Sequence, residues 1–408
     1  MRRKSVTSAA KKFIATTNMQ ANVGRRVAII GAGIGGLTAA LAFAKTGADV
    51  TVFEQAGALT EVGAGLQITP NGARVLNALG LVDALADVGV SAHAVCPMDA
   101  VSGRQITQFD LTGQKPAYRF YHRADLLGVL ADRCRSAGVD IQLGRRIDNI
   151  TSDGRFVVNG ATIMPTLTIG ADGLHSQMRP LLNGPEKPFF TGQVAWRALV
   201  PRRDMAPKAQ IWMAPDRHVV TYPLANGMMN VVAVQEKGRW TDEGWHHADT
   251  PENLQAAFAD LSSDLRSILA DVTDVRLWGL FRHPVAESWQ QDGVLALLGD
   301  AAHPTLPFLA QGANLAIEDG LTLAACCQHD PSLERALSVY QSARRKRVSR
   351  AIEAANGNAK NYHLSGFQRR VAHAGLTILG RVAPNAFLSR LGWLYDYDAP
   401  TVHQFSPL

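Results

Sequence analysis

A chain of 408 residues, 47% of them hydrophobic, is long enough to bury a large core in two or three domains. Its net charge of +6 invites a polyanionic partner, yet Arg2, Arg3, Lys4, Lys11, Lys12, Arg25 and Arg26 all fall in the first 26 residues, where no acid stands. Removing those seven leaves the remainder at −1, so the folded body has no basic excess and nucleic acid is excluded as its main partner.

Residues 1–24 are Ser/Thr/Ala-rich and acid-free, and are expected to form a disordered basic tail. The same composition suits an organellar targeting segment, and Met19 offers an alternative start. The apolar run Val27 to Ile30 then breaks into Gly31-x-Gly33-x-x-Gly36, and a small-residue helix, Leu37 to Lys45, follows at once. This is a dinucleotide-binding fingerprint in its required context: Gly31 permits the tight turn, Gly33 leaves room for a pyrophosphate, and Gly36 lets helix and strand pack closely. A second strand, Asp49 to Phe53, ends at Glu54, whose carboxylate can take ribose hydroxyls. The uncharged run Val27 to Ala44 is long enough to raise a membrane span, but its glycines and strand-to-helix break argue against one.

A glycine-rich turn, residues 61–71, precedes a helix from Gly72 to Leu79, and residues 91–116 read as a hairpin turning at Ser102-Gly103. Helical spacing returns from Arg123 to Ala137, and short strands near 139–150 and 155–169 lead to Asp172-Gly173-x-x-Ser176-x-x-Arg179. From Gly192 to Arg282 the chain is strand-like and aromatic, with Trp196, Trp212, Tyr222, Trp240 and Trp278, and one helical stretch from Pro251 to Leu269. An apolar strand, Val294 to Leu298, then ends in Gly299-Asp300, followed by helices at Gln311 to Cys327 and 332–362. The run Arg344-Arg345-Lys346-Arg347 reads as a solvated helix face. Cys96, Cys134, Cys326 and Cys327 make no CxxC pair, which fits a reducing compartment, the cytoplasm; Cys326-Cys327 reads as core packing.

Three ordered motifs carry a resemblance: Gly31-x-Gly33-x-x-Gly36, the Asp172-Gly173 stretch, and Gly299-Asp300-Ala301-Ala302-His303-Pro304 continuing through Gln311-Gly312-Ala313-Asn314 to Glu318-Asp319. From about residue 25 onward the chain resembles the single-component FAD-dependent aromatic hydroxylases of the para-hydroxybenzoate hydroxylase fold. The salicylate hydroxylase and 3-hydroxybenzoate 6-hydroxylase branch is the nearer one. The resemblance implies an α/β fold with an α+β insertion. Residues 25–90, 117–188 and 286–350 would form a discontinuous Rossmann-like FAD-binding domain, 91–116 and 189–285 a substrate-binding β-sheet domain, and 351–408 a C-terminal helical region. A single glycine fingerprint then implies that NAD(P)H visits as co-substrate without a domain of its own.

The same resemblance implies that Asp172 is linked to both FAD and NAD(P)H and that Asp300 lies against the ribityl-phosphate portion. Gly312, Ala313 and Asn314 would present backbone N–H groups to the flavin ring, whose reduced form is anionic and suits a helix N-terminus. Arg123 matches a family arginine that contacts FAD, and Pro307 a proline beside flavin and substrate. Glu54, the neighbouring Gln55 and Gly65 complete the candidate cofactor contacts. His303 has no partner at metal-ligand spacing and reads as a structural hydrogen-bonding group, so no metal is expected.

The implied reaction hydroxylates a small phenolic or heteroaromatic acid with NAD(P)H and O2 through a flavin C4a-hydroperoxide. A phenol near pKa 10 is mostly neutral at pH 7, so a base that makes phenolate would raise ring nucleophilicity. His218 and Tyr222, four apart on a strand and so on one face, match pocket residues of the nearest branch and are the candidate catalytic pair. In the resembled family, 3-hydroxybenzoate 6-hydroxylases carry a pocket glutamine where this chain has Pro307, and some pyridine hydroxylases a histidine where it has Gln67, so substrate identity does not transfer. Alternatives are a flavin epoxidase or quinone-ring hydroxylase on the same fold, for which apolar clusters such as Leu376-Thr377-Ile378-Leu379 leave room although packing explains them more simply, or a non-catalytic flavin-binding sensor. The expected partners are a small aromatic substrate and O2, with no stable membrane span; a homodimer is compatible with the sequence.

Overall fold

The computed structural model describes residues 21–59, 65–238 and 246–408. Four apolar runs pair as consecutive parallel strands: Asp49–Phe53, Arg26–Ile30, Leu167–Gly170 and Leu295–Leu297. Asp140–Gln142 and the antiparallel Gln290–Gln291 close the two edges of this six-stranded sheet. The central strands are buried nearly end to end, so they read as continuous apolar runs rather than alternating ones. Because the strands run parallel, their carboxyl ends open on one edge. Neighbouring strands stand about 4.8 Å apart, so Gly31, Asp172 and Asp300, which follow three consecutive strands, line roughly 10 Å of that edge.

Helix Ile34–Lys45 packs across helix Gly312–His329 through small residues. A Cβ on Gly320 would stand 2.7 Å from the Ala39 amide nitrogen, and one on Gly35 would stand 3.0 Å from Ala316 Cβ. Close crossing at glycine brings the second helix against the strand edge that carries the first fingerprint.

A second, eight-stranded sheet runs in the order 246–249, 275–282, 189–201, 228–236, 217–223, 208–214, 94–99 and 109–110. The hairpin expected at 91–116 is present, and its strand Ala94–Asp99 pairs in parallel with Lys208–Ala214, which joins it to the rest. Side chains alternate between the faces. Trp196, Trp212, Val219 and Val231 pack under Leu254, Phe258, Leu265 and Leu269, while Ala195, Val232 and Val234 pack against Phe308 and Ala359. A three-stranded sheet of Gly65–Ile68, Arg119–His122 and Gly89–Ser91 lies beside this second face.

Several expectations need correction. The tail was expected to be disordered to residue 24, but Asn22 is fully buried and donates to Thr46 Oγ1 at 2.9 Å and to the Ala324 carbonyl at 3.0 Å. Residues 1–20 lie outside the described residues, as do residues 61–64 of the glycine-rich turn and Trp240. The single helix expected at 251–269 is two, Pro251–Ala257 and Ser263–Ala270, because Ser262 takes an extended conformation between them. The basic run is not a solvated face: Arg344 is fully buried and Arg347 nearly so, while Arg345 and Lys346 are exposed. A helix has 3.6 residues per turn, so positions three apart share a side and the run is split between core and water. Helix Gly366–Val382 contains no buried residue, and Ile378 is exposed, so core packing does not account for its apolar cluster. Among the described residues no helix is long and apolar enough to cross a membrane.

Candidate functional site

The strand edge is built as a nucleotide cleft. Gly31 adopts φ +106°, and a Cβ there would lie 2.3 Å from the Ala171 carbonyl oxygen; a Cβ on Gly36 would lie 2.0 Å from the Gly31 oxygen. Gly33, in contrast, has nothing within 4 Å of where its Cβ would be, at the start of helix Ile34–Lys45 where unpaired N–H groups gather. Glu54 accepts the Ala32 N–H on one oxygen at 2.8 Å and the Ala56 N–H on the other at 2.9 Å, which fixes the carboxylate beside the turn. Each oxygen keeps a lone pair for a ribose hydroxyl. Gln55 is exposed beside it.

Asp172 accepts the Gln177 N–H at 2.8 Å on Oδ2, while its Oδ1 is buried without a partner among the described residues. Burial pushes its carboxyl pKa up, against hydrogen bonds from Ser176 and Gln177. Asp300 is exposed to water, yet burial by surrounding protein raises its pKa too, with His303 and Arg123 opposing the rise. A carboxylate that water reaches and protein surrounds is at the floor of an open cleft. Arg123, first residue of helix Arg123–Ser136, is close enough to Asp300 to act on it.

Buried charge holds this edge together. Arg179 donates to the Ala301 and Ala302 carbonyls at 3.1 Å each and to Glu186 at 2.7 Å, tying the Asp172 stretch to the Asp300 stretch. Asp319 accepts from Gly299 N–H at 3.0 Å, Arg344 Nε at 2.7 Å and His303 Nε2 at 2.5 Å, and Glu318 takes Arg344, Arg347 and Asn71. His303, stacked on Trp289, therefore has the structural hydrogen bond expected of it, and no metal-ligating cluster occurs among the described residues.

Pro307, exposed, opens a short turn that ends at Ala310 with φ +54°, and helix Gly312–His329 begins two residues later. The Asn314 side chain is engaged: Oδ1 accepts the Thr69 N–H at 3.0 Å, and Nδ2 donates to the Gln67 carbonyl at 3.0 Å and the Ala310 carbonyl at 2.6 Å. What the helix start can offer a ligand is backbone N–H from Gly312, Ala313 and Asn314.

His218 and Tyr222 lie on the sheet face that turns toward Phe308, both almost fully buried. The His218 ring centroid is 5.5 Å from that of Phe308, and Tyr222 is 5.0 Å from Phe120. Gly65 is placed here too: it donates its N–H to Asn230 Oδ1 at 2.7 Å, and a Cβ on it would lie 2.8 Å from Tyr222. Asn230 pairs across the strands with Tyr222, and its Nδ2 is buried without a partner among the described residues. Burial holds His218 well below the usual histidine range, with His363 adding to the effect, and pushes Tyr222 far above the usual phenol range against the pull of Arg197 and Gln67.

Four residues here carried no local signal. Asn230 and Arg197 sit on neighbouring strands and reach the site only through sheet register. His363, whose Nε2 is 2.7 Å from His218 Nδ1, lies 145 residues away, and Glu236, 2.7 Å from His363 Nδ1, is a half-exposed strand end.

A family model described as an FAD binding domain matches residues 25–355. The 3-amino-4-hydroxybenzoate 2-monooxygenase of Streptomyces cremeus is 36% identical over 83% of this chain and 88% of its own length. The 3-hydroxybenzoate 6-hydroxylase 1 of Aquipseudomonas alcaligenes is 30% identical over 91% and 98%. A solved salicylate hydroxylase–substrate complex superposes with a TM-score of 0.79 at 25% identity, over 94% of this chain and 98% of that one. The cleft has the open space at Gly33, the orphaned Asp172 oxygen and the exposed Asp300 that a dinucleotide flavin would fill. The chain belongs to the FAD binding domain family, as an FAD-dependent aromatic monooxygenase with NAD(P)H as co-substrate.

Proposed function

We propose that the protein hydroxylates a small phenolic or heteroaromatic acid held between the Gly312 helix start and the sheet face of His218 and Tyr222. The observation that carries this reading is a neutral, buried histidine on the sheet face that packs against the turn leading into that helix. The relatives named 3-amino-4-hydroxybenzoate 2-monooxygenase and 3-hydroxybenzoate 6-hydroxylase act on phenolic acids, which supports the substrate class.

FAD would be held by Gly31, Gly33, Gly36, Glu54, Gln55, Arg123, Asp172, Asp300 and Pro307, with backbone N–H from Gly312, Ala313 and Asn314 at the ring; Gly65, packed against Tyr222, would complete the contacts. When bound, FAD accepts hydride from NAD(P)H and activates O2. The protein's own part is binding, orientation and proton control. His218, neutral because burial disfavours its cation, accepts the phenol proton, and the resulting phenolate is the more electron-rich ring. Tyr222, held protonated, donates a hydrogen bond to the oxygen that forms. Arg197 gives the same face positive charge for an acid substrate, and Asn230 Nδ2 an unused donor.

On this reading residues 91–116 and 189–285 serve the substrate and 25–90, 117–188 and 286–350 the flavin. The four cysteines are free and buried, which supports the cytoplasm as its compartment. The test is product analysis: the FAD-loaded protein incubated with NADH or NADPH, O2 and one acid at a time from 3-amino-4-hydroxybenzoate, 3-hydroxybenzoate, salicylate and 6-hydroxynicotinate. A hydroxylated product from at least one is expected. NAD(P)H oxidation that none of them stimulates would favour the sensor alternative.

A further inference from the structure

Three titratable side chains run from the buried sheet face to the surface. His218 is 2% exposed; its Nδ1 lies 2.7 Å from His363 Nε2. His363, just past the end of helix Leu333–Tyr362, has a side chain 3% exposed, and its Nδ1 lies 2.7 Å from Glu236 Oε1. Glu236 is 46% exposed and lines a cavity of about 450 Å³ with Asp216, Arg217, Gln235 and Asp260. Its backbone is fixed there, since the Glu236 N–H donates to the Asp216 carbonyl at 2.9 Å and the Asp216 N–H to the His363 carbonyl at 3.3 Å. Phe308 and Tyr362 flank the His218 ring.

The hydrogen bonds fix the tautomers in turn. A carboxylate only accepts, so His363 Nδ1 carries a proton, and in the uncharged ring Nε2 keeps a lone pair. His218 Nδ1 must then donate to that lone pair, which leaves His218 Nε2 as an acceptor. A histidine with a free Nε2 lone pair, oriented from behind by a second group, is arranged as a base.

We propose that His363 and Glu236 set the tautomer of His218 and form the exit through which the substrate's phenolic proton reaches solvent. The proposal rests on His218 being the base. The phenol O–H breaks as a proton joins His218 Nε2. His218 Nδ1–H passes its proton to His363 Nε2, His363 Nδ1–H passes its own to Glu236, and Glu236 releases it to water in the cavity. One proton enters and one leaves, and each ring ends neutral in the opposite tautomer, which rotation or the return of a proton resets. His363 and Glu236 are positioning and transfer groups that do not touch the substrate.

The experiment uses FAD-loaded wild type, His218→Ala, His363→Gln and Glu236→Gln, mixed rapidly with each of the four acids named above. Phenolate formation is read by near-ultraviolet absorbance, and proton release by an indicator dye in weak buffer. In wild type the two signals should coincide. Glu236→Gln should keep its FAD and its phenolate signal but release protons about tenfold or more slowly, with the rate restored by formate or imidazole, which fit the cavity. His363→Gln should show the same defect without rescue by formate. Proton release at the wild-type rate in both variants, or a slow rate in Glu236→Gln that neither rescuing agent restores, would overturn the relay. A full phenolate signal in His218→Ala, or none in wild type with any of the acids, would instead overturn His218 as base and the relay with it.

Discussion

Arg344 donates from Nε to Asp319 Oδ1 at 2.7 Å, and the other oxygen of Asp319 holds the Gly299 amide at 3.0 Å, one residue before Asp300. A fully buried guanidinium thus positions the stretch that carries the Asp300 carboxylate. Breaking a buried pair from one side leaves a charge without its partner, at a cost of about 3–5 kcal/mol. We expect Arg344→Met to lose stability of that order in urea unfolding and to bind FAD more weakly. Wild-type stability in the variant would remove the network from this role.

The same network gives an acid-side signature. Burial alone would raise Asp319, but His303 and Arg344 bring its carboxyl down to about 2. With the folded value below that of a free carboxylate, near 3.8, its contribution is complete above pH 3.8 and is lost as pH falls toward 2. Unfolding free energy followed between pH 5 and pH 2 should fall less steeply in Arg344→Met than in wild type; equal slopes would contradict this.

Gly31 and Gly33 should separate folding from cofactor binding. Alanine at Gly31 would press its Cβ to 2.3 Å from the Ala171 oxygen in a backbone conformation of positive φ, and should destabilise the protein even without FAD. Gly33 has open space, so Gly33→Val should change the stability of the FAD-free protein by only about 1 kcal/mol. Its FAD affinity should nonetheless fall about tenfold or more, which is roughly 1.4 kcal/mol. Unchanged FAD affinity in Gly33→Val would mean that the pyrophosphate lies elsewhere.

These contrasts show what was legible beforehand. The three glycine and aspartate motifs could be read because each is local: a strand end, a turn and a helix start lie within about fifteen residues of one another. Their convergence followed once the strands were taken as parallel. Arg344 was misread because a four-residue basic run was judged by composition, whereas helical rotation sends it to Glu318 and Asp319, 26 and 25 residues away along the chain. His363 and Glu236 had no pattern to find, since folding brings them to His218 across 145 and 18 residues with nothing in their own neighbours to mark them.

His218 supplies a second pH effect, of opposite chemistry. Burial and the nearby His363 hold it well below 6.5, so below that pH the unfolded chain takes up a proton that the folded protein refuses. Stability should therefore fall as pH drops below 6.5. His218→Gln cannot titrate and should lack that part of the slope. Identical profiles for the two proteins between pH 7 and pH 5 would show that His218 is not buried neutral.

Burial pushes the Tyr222 phenol far above its usual range, so the role proposed for it is donation rather than ionisation. Tyr222→Phe should keep FAD and the shape of the pH–rate profile while lowering kcat/KM about tenfold, the loss of one hydrogen bond to a charged oxygen. A shifted basic limb in the variant would assign Tyr222 a titrating role instead.

The most direct measurement is turnover by the purified, FAD-loaded protein and its His218→Ala variant, with O2 uptake, NAD(P)H oxidation and ring-hydroxylated product quantified together for each candidate acid. Wild type should couple all three on at least one phenolic or heteroaromatic acid, and His218→Ala should retain its FAD while losing at least about 99% of that rate, in line with removal of a positioned base. Full turnover by the variant, or FAD-bound wild type that no aromatic acid stimulates, would contradict a cleft in which flavin and a deprotonated phenol meet.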